Sequence, residues 1–272
     1  MNIVTLYNNR VRPDTTGIYV SEALRRLGHT VKHVIPSVDG VDGGADMYLL
    51  VDDGFDYDTD IKPLTYWAID THVSYAQQLE KAKQAETVFA AQKEGAARLS
   101  KDLGREVKWK PLACDDMLHA YYGNSPKKYD ICFVGTCDMN PLFDGRRKFL
   151  DRAFQKFPNF YFGQRFFAEA VQKYGESRIV LNYSIGNDVN MRVFEAMASG
   201  SLLLTNESDG IRDLFKADKK NTDQLVIYES TADAIDKINY FLVEEGERER
   251  IAMNGKIEVL KNHTYMNRFA EV

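Results

Sequence analysis

Short apolar runs alternate with amphipathic stretches along the whole chain, and the two spacings mark different elements. Runs at residues 2–7, 30–35, 47–51, 64–69, 87–90 and 107–111 read as strands. Between them, residues 17–27, 74–85 and 94–103 carry apolar positions at helical spacing, and Gly28 and Gly104 follow two of these helices as stop signals. The stretch 123–128, GNSPKK, is rich in turn-formers and charge and reads as a domain boundary. The pattern then restarts, with strands expected at 129–135, 159–163, 179–183, 202–204 and 225–228, and helices at 190–199, 232–245 and 248–260. Strands that alternate with helices predict an α/β protein with parallel sheets. The expected architecture is two Rossmann-like domains, residues 1–122 and 123–272.

Residues 178–206, RIVLNYSIGNDVNMRVFEAMASGSLLLTN, organise the second half. Strand, polar turn, helix and strand make a βαβ unit, and the turn lies where open α/β sheets hold ligands. The unpaired N–H groups at a helix start suit a phosphate, so Asn187, Asp188, Asn190 and Met191 are candidate donor-binding positions. Arg192 adds a forked cation for phosphate, and Glu195, one turn on, suits a pair of ribose hydroxyls. The competing reading is ordinary packing: Phe194, Met197 and Ala198 form an apolar face, with Glu195 solvated and salt-bridged to Arg192. Gly135 and Thr136 close the strand at 129–135 at the same kind of position, and Arg165 follows the next strand. Arg146, Arg147 and Lys148 begin a helix and either reach phosphate or face solvent.

The stretch NMRVFEAMASGSLLLTN resembles the signature of two-domain (GT-B type) nucleotide-sugar glycosyltransferases, and is most similar to the branch related to the spore-maturation protein CgeB. The strand YDICFVG and the end NHTYMNRF fit the same resemblance, which covers residues 129–272 well and the first domain only loosely. It implies two domains facing a cleft, the second holding the donor and the first presenting the acceptor. It implies ribose contacts for Glu195 and a last helix that packs back on the first domain. In larger retaining relatives a glutamate eight residues before that position contacts the sugar, but here the residue is Asn187. The loop at residues 10–17 corresponds to one facing the cleft, where Gly17 allows either close ligand approach or a plain helix start.

Asp70 and His72, just past a strand, are candidate catalytic groups, with helix capping by Asp70 as the alternative. The acidic run 56–60 and the trio Asp115, Asp116 and His119 have some metal-ligand character, but solvated loop and linker polarity are the expected readings, and no metal is predicted. The net charge of −5 gives no global field for nucleic acid or an anionic membrane. Cys114, Cys132 and Cys137 lack disulfide or zinc spacing and read as free thiols. With no signal-peptide pattern at residues 1–9 and no long apolar run, a cytoplasmic location is expected. The expected activity is sugar transfer from a nucleoside diphosphate-sugar, a UDP-sugar above all, to an unidentified hydroxyl on a glycan, protein or small molecule. No cofactor is expected. A nucleotide-sugar binder without transfer activity and a sugar-nucleotide epimerase are the alternatives.

Overall fold

The computed structural model describes residues 1–36, 39–41, 43–55, 57, 61–120, 126–137, 139–217 and 223–272. Most of the acidic run 56–60 and half of the expected boundary stretch 123–128 lie outside the described residues. The chain divides into two compact units, Met1–Leu112 with Tyr265–Val272, and Ala113–Thr264. The expected division was at 122/123. The second unit begins earlier because the segment around Cys114 pairs with its end: the Cys114 N–H donates to the His263 carbonyl at 3.1 Å.

The first unit holds β1 (Asn2–Leu6), α1 (Thr16–Arg26), β2 (Thr30–Val34), β3 (Met47–Val51), β4 (Leu64–Ala68), α2 (Tyr75–Gln84), β5 (Thr87–Ala90), α3 (Lys93–Leu103) and β6 (Lys108–Trp109). All pairings are parallel, in the order β2-β1-β3-β4-β5-β6. Central β4 (LTYWA) is buried throughout, whereas edge strand β2 is exposed at alternate positions. Gly104 ends α3 in the left-handed conformation, as a stop glycine should.

The last residues complete this unit. In α11 (Tyr265–Phe269), Tyr265 stacks on Tyr19 with centroids 5.6 Å apart, and Phe269 meets Trp67 edge-on at 5.5 Å. Lys110 lies over Phe269 and donates to the Arg268 carbonyl, while Arg268 Nε donates to the Pro111 carbonyl at 2.9 Å.

The second unit holds α4 (Asp116–His119), β7 (Tyr129–Val134), a 3-10 turn at Pro141–Phe143, α5 (Asp144–Lys156), β8 (Phe160–Gly163), α6 (Phe167–Gly175), β9 (Ser177–Leu181), α7 (Met191–Ala198), β10 (Leu202–Asn206), α8 (Ile211–Leu214), β11 (Val226–Tyr228), α9 (Thr231–Val243) and α10 (Glu245–Asn262). Its strands are again all parallel, in the order β11-β10-β9-β7-β8. Ile131, Phe133, Ile179, Leu181, Leu202 and Leu204 pack its core against Phe149, Ile238 and Ile251. Strand β9 ends two positions before the expected 183, which leaves Asn182 and Tyr183 in the loop. Among the described residues, no helix is long and apolar enough to cross a membrane.

Gly17 lies in the first turn of α1, buried against the Tyr7 ring, and a Cβ there would overlap the ring. Close packing thus accounts for the glycine without a ligand. Gly17→Ala is expected to lower stability by about 1–3 kcal/mol through overpacking, measured as a lower midpoint in urea with an unchanged slope.

Candidate functional site

The chain leaves β7 toward β8 on one side and leaves β9 toward β10 on the other. The carboxyl ends of β7 and β9 therefore form a topological switch point, where diverging loops open a crevice at the sheet edge. Arg192, in the first turn of α7, spans this point. Its Nε donates to the Val134 carbonyl at 2.7 Å, and its Nη1 donates to Asn182 Oδ1 at 2.7 Å. The guanidinium lies 4.3 Å from the centre of the Phe133 ring. Any side chain at position 135 would overlap Arg192 Nη2, so Gly135 is the residue that admits the guanidinium.

A second guanidinium comes from α5. Arg146, which is buried, donates from Nε and Nη2 to the Tyr183 carbonyl at 3.1 and 2.9 Å, and from Nη1 to the Thr136 carbonyl at 2.9 Å. It lies 5.6 Å from the same Phe133 ring. Burial, and then the charge of Arg192, lower its pKa to about 10, so it remains a cation near neutrality. Among the described residues, neither Arg146 nor Arg192 makes an ion pair with a carboxylate, because their protein partners are carbonyl oxygens and an amide. Two guanidiniums held by neutral acceptors over one ring make a concentrated positive site suited to a dianion.

Asn182 holds the arrangement together. It is fully buried and donates from Nδ2 to Ser184 Oγ and Thr205 Oγ1, each at 3.0 Å. Its Oδ1 accepts from Arg192 and from Asn190 Nδ2, and its backbone carbonyl accepts the Tyr228 hydroxyl at 2.8 Å. Asn190 precedes α7 in an extended conformation, and its side chain turns toward Asn182 and Ser184 instead of capping the helix. Met191 is the first residue of α7.

Glu195 departs from the packing alternative, which had it solvated and salt-bridged to Arg192. It is buried rather than solvated, and it does not pair with Arg192. Its Oε2 accepts the Tyr174 hydroxyl at 3.3 Å, and its Oε1 is 3.4 Å from His119 Nε2. Burial, reinforced by the Glu195 charge, raises the Tyr174 pKa well above its ordinary value, so Tyr174 stays a donor. His119 is therefore a contact of Glu195. Asp115 caps α4 by accepting the Leu118 N–H at 2.7 Å, so the linker trio does not gather as a metal site.

The remaining candidates have the following surroundings. Asn187 has a left-handed backbone, φ 63°, and both its Oδ1 and its carbonyl accept the Asp209 N–H. Asp188 is buried beside it. Thr136 contributes its backbone carbonyl to Arg146. Arg165, after β8, pairs with Glu169 at 3.6 Å and donates to the Gln164 carbonyl, and it is not joined to Arg146 or Arg192 by any hydrogen bond. In the first unit, the Asp70 backbone is left-handed at φ 61°, and its carbonyl accepts the Val73 and Ser74 N–H groups. Ser74, not Asp70, occupies the cap position of α2, and His72 is exposed.

Two parallel Rossmann-like sheets, each with a switch point at its strand ends, define the GT-B class of glycosyltransferase fold. The chain belongs to the glycosyl transferase-like family, whose sequence pattern matches residues 133–272, and it is a glycosyltransferase. No curated protein matches it by sequence. Among solved structures, it is similar to an alpha-glucosyltransferase in complex with UDP and a 13-mer DNA containing a HMU base. That match has a TM-score of 0.71 and 10% identity, covering 100% of this chain and 98% of the other. It is similar also to sucrose-phosphate synthase from Thermosynechococcus elongatus, with a TM-score of 0.64 and 11% identity over 98% of this chain and 96% of that one. Anabaena Alr3699/HepE in complex with UDP-glucose gives a TM-score of 0.64 and 12% identity, over 98% and 97% of the two chains. At these identities the likeness is one of fold.

Asn182→Ala removes the acceptor of Arg192 and strands several buried partners. The expected loss is about 1–3 kcal/mol, seen as a lower midpoint in chemical denaturation, with weaker nucleotide binding alongside it.

Proposed function

We propose that this glycosyltransferase takes a UDP-sugar as donor and moves the sugar to a hydroxyl acceptor. The observation that carries the reading is the pair Arg146 and Arg192, two cations over the Phe133 ring with no carboxylate partner among the described residues. The leaving diphosphate rests against these guanidiniums and the start of α7. Charge that builds on the leaving oxygen is stabilised there without a metal. The ribose hydroxyls are accepted by Glu195, one turn along. UDP as the nucleotide is supported by the names of similar structures, which include UDP and UDP-glucose complexes.

Within the family, the resemblance of the stretch NMRVFEAMASG and the end HTYMNR to the CgeB-like branch supports that branch as the chain's place. The reaction follows the retaining course, with the leaving phosphate helping to deprotonate the acceptor on the same face. In an inverting reaction Asp70 or His72 takes the proton as an ordinary base. The acceptor is a glycan, a protein or a small molecule, since the net charge of −5 does not favour nucleic acid. The free thiols fit a reducing cytoplasm.

A second reading is a nucleotide-sugar binder without transfer activity. It is favoured by position 187, where the amide oxygen of Asn187 is committed to the Asp209 N–H. UDP-, GDP- and dTDP-sugars incubated with the protein separate the two: binding with neither hydrolysis nor transfer supports the binder. Product analysis on donor alone identifies an epimerase.

UDP at a hundred times its dissociation constant adds about 2.7 kcal/mol of stability, a shift visible in thermal melts. Arg192→Ala and Glu195→Ala are each expected to lose most of that shift. If both variants keep it in full, these residues do not bind the nucleotide. Activity is expected to persist in EDTA, and its abolition by chelation would place a metal in the reaction.

A further inference from the structure

Glu195 is held from two directions. Tyr174, at the end of α6, donates to Oε2 at 3.3 Å, and His119, at the end of α4, presents Nε2 to Oε1 at 3.4 Å. Both side chains are only 2% exposed, so each is fixed by packing. The geometry around the imidazole sets its polarity. Nδ1 lies 2.8 Å from the Asp115 N–H and 3.0 Å from the Asp115 carbonyl. If Nδ1 accepts the N–H, the neutral ring carries its proton on Nε2. If the ring is charged, Nδ1 donates to the carbonyl and Nε2 donates as well. A neutral ring protonated on Nδ1 would turn the Nε2 lone pair against the carboxylate, so the pairing with Glu195 calls for a proton on Nε2. A tyrosine hydroxyl held protonated completes a pair of donors, one on each oxygen.

We propose that Tyr174 and His119 are positioning residues that orient the Glu195 carboxylate to accept the hydroxyls of the donor ribose. The inference rests on the reading of Glu195 as the ribose contact. Donors on both oxygens fix the plane of the carboxylate, and that plane sets the direction from which it can receive a vicinal diol. Without them, the buried carboxylate loses donors that favour its charged form, and its rotamer is no longer set. The same logic orients metal ligands through their outer partners. The consequence is selective: these two residues govern recognition of the sugar half of the nucleotide, while Arg146 and Arg192 govern the diphosphate.

Isothermal titration with UDP, 2′-deoxy-UDP, 3′-deoxy-UDP and inorganic pyrophosphate tests this on the full chain. The wild type is expected to prefer UDP over each deoxy analogue by about tenfold, the worth of a hydrogen bond to a charged acceptor. Tyr174→Phe, and independently His119→Leu, are expected to erase most of that preference and raise the donor KM. Pyrophosphate affinity and kcat stay unchanged. A wild type that prefers UDP, with both variants keeping the full preference, overturns the positioning role while leaving the ribose contact in place. A wild type that shows no preference overturns the ribose reading, and this one with it. Pyrophosphate affinity that falls in step with UDP affinity reports general damage to the fold and also overturns the selective role.

Discussion

A guanidinium brought into a protein interior must find acceptors for its donors or forfeit its hydration uncompensated. Arg192 meets that demand on two strands at once, through the Val134 carbonyl at the end of β7 and the Asn182 amide beyond β9. Because neither acceptor carries a charge, the cation is placed and desolvated without being neutralised. The same device recurs at Arg146, whose donors go to the Tyr183 and Thr136 carbonyls. Burial above all, and then the charge of Arg192, lower the Arg146 pKa, so the two cations repel one another beside the Phe133 ring.

The polar network behind these cations explains the local architecture. Asn182 links the ends of three strands through Thr205 on β10, Tyr228 on β11 and Arg192 on α7. Ser184 adds a further tie by donating its N–H to Asn206 Oδ1 at 2.6 Å. A densely connected buried network of this kind specifies one geometry more sharply than apolar packing does. The loop that follows β9 is therefore stiff where it meets the sheet. Its one left-handed non-glycine residue, Asn187, lies further out against the loop after β10.

Much of this was legible before any coordinates. The βαβ unit followed from apolar runs around a polar turn, and Gly200 marks the end of α7 in the left-handed conformation its position predicts. Arg192 stood out because it puts a forked cation at a helix start already suited to phosphate. What escaped notice was set by contacts between segments distant in sequence. Asn182 was absorbed into a strand, since an apolar run carries no signal for where the ladder stops. His119 resembled linker polarity, because nothing in PLACDDMLH announces that α4 packs against α6 and α7. Tyr174 lies in α6, a helix that the spacing of apolar positions did not mark. Arg146 was one of three adjacent basic residues, and only the packing of Phe133 and Phe143 singles it out.

The first unit is discontinuous: its sheet is finished by Trp109, yet Tyr265 and Phe269 cover Trp67 from the far end of the sequence. During synthesis the ribosome delivers every strand of that sheet long before the helix that seals its central tryptophan. The intervening unit contains all its own strands and helices, so it can reach its native packing first, while the earlier half waits with an apolar face uncovered. The contacts that cover Trp67 therefore form only after residues 265–269 have been made, later than the whole of the second unit.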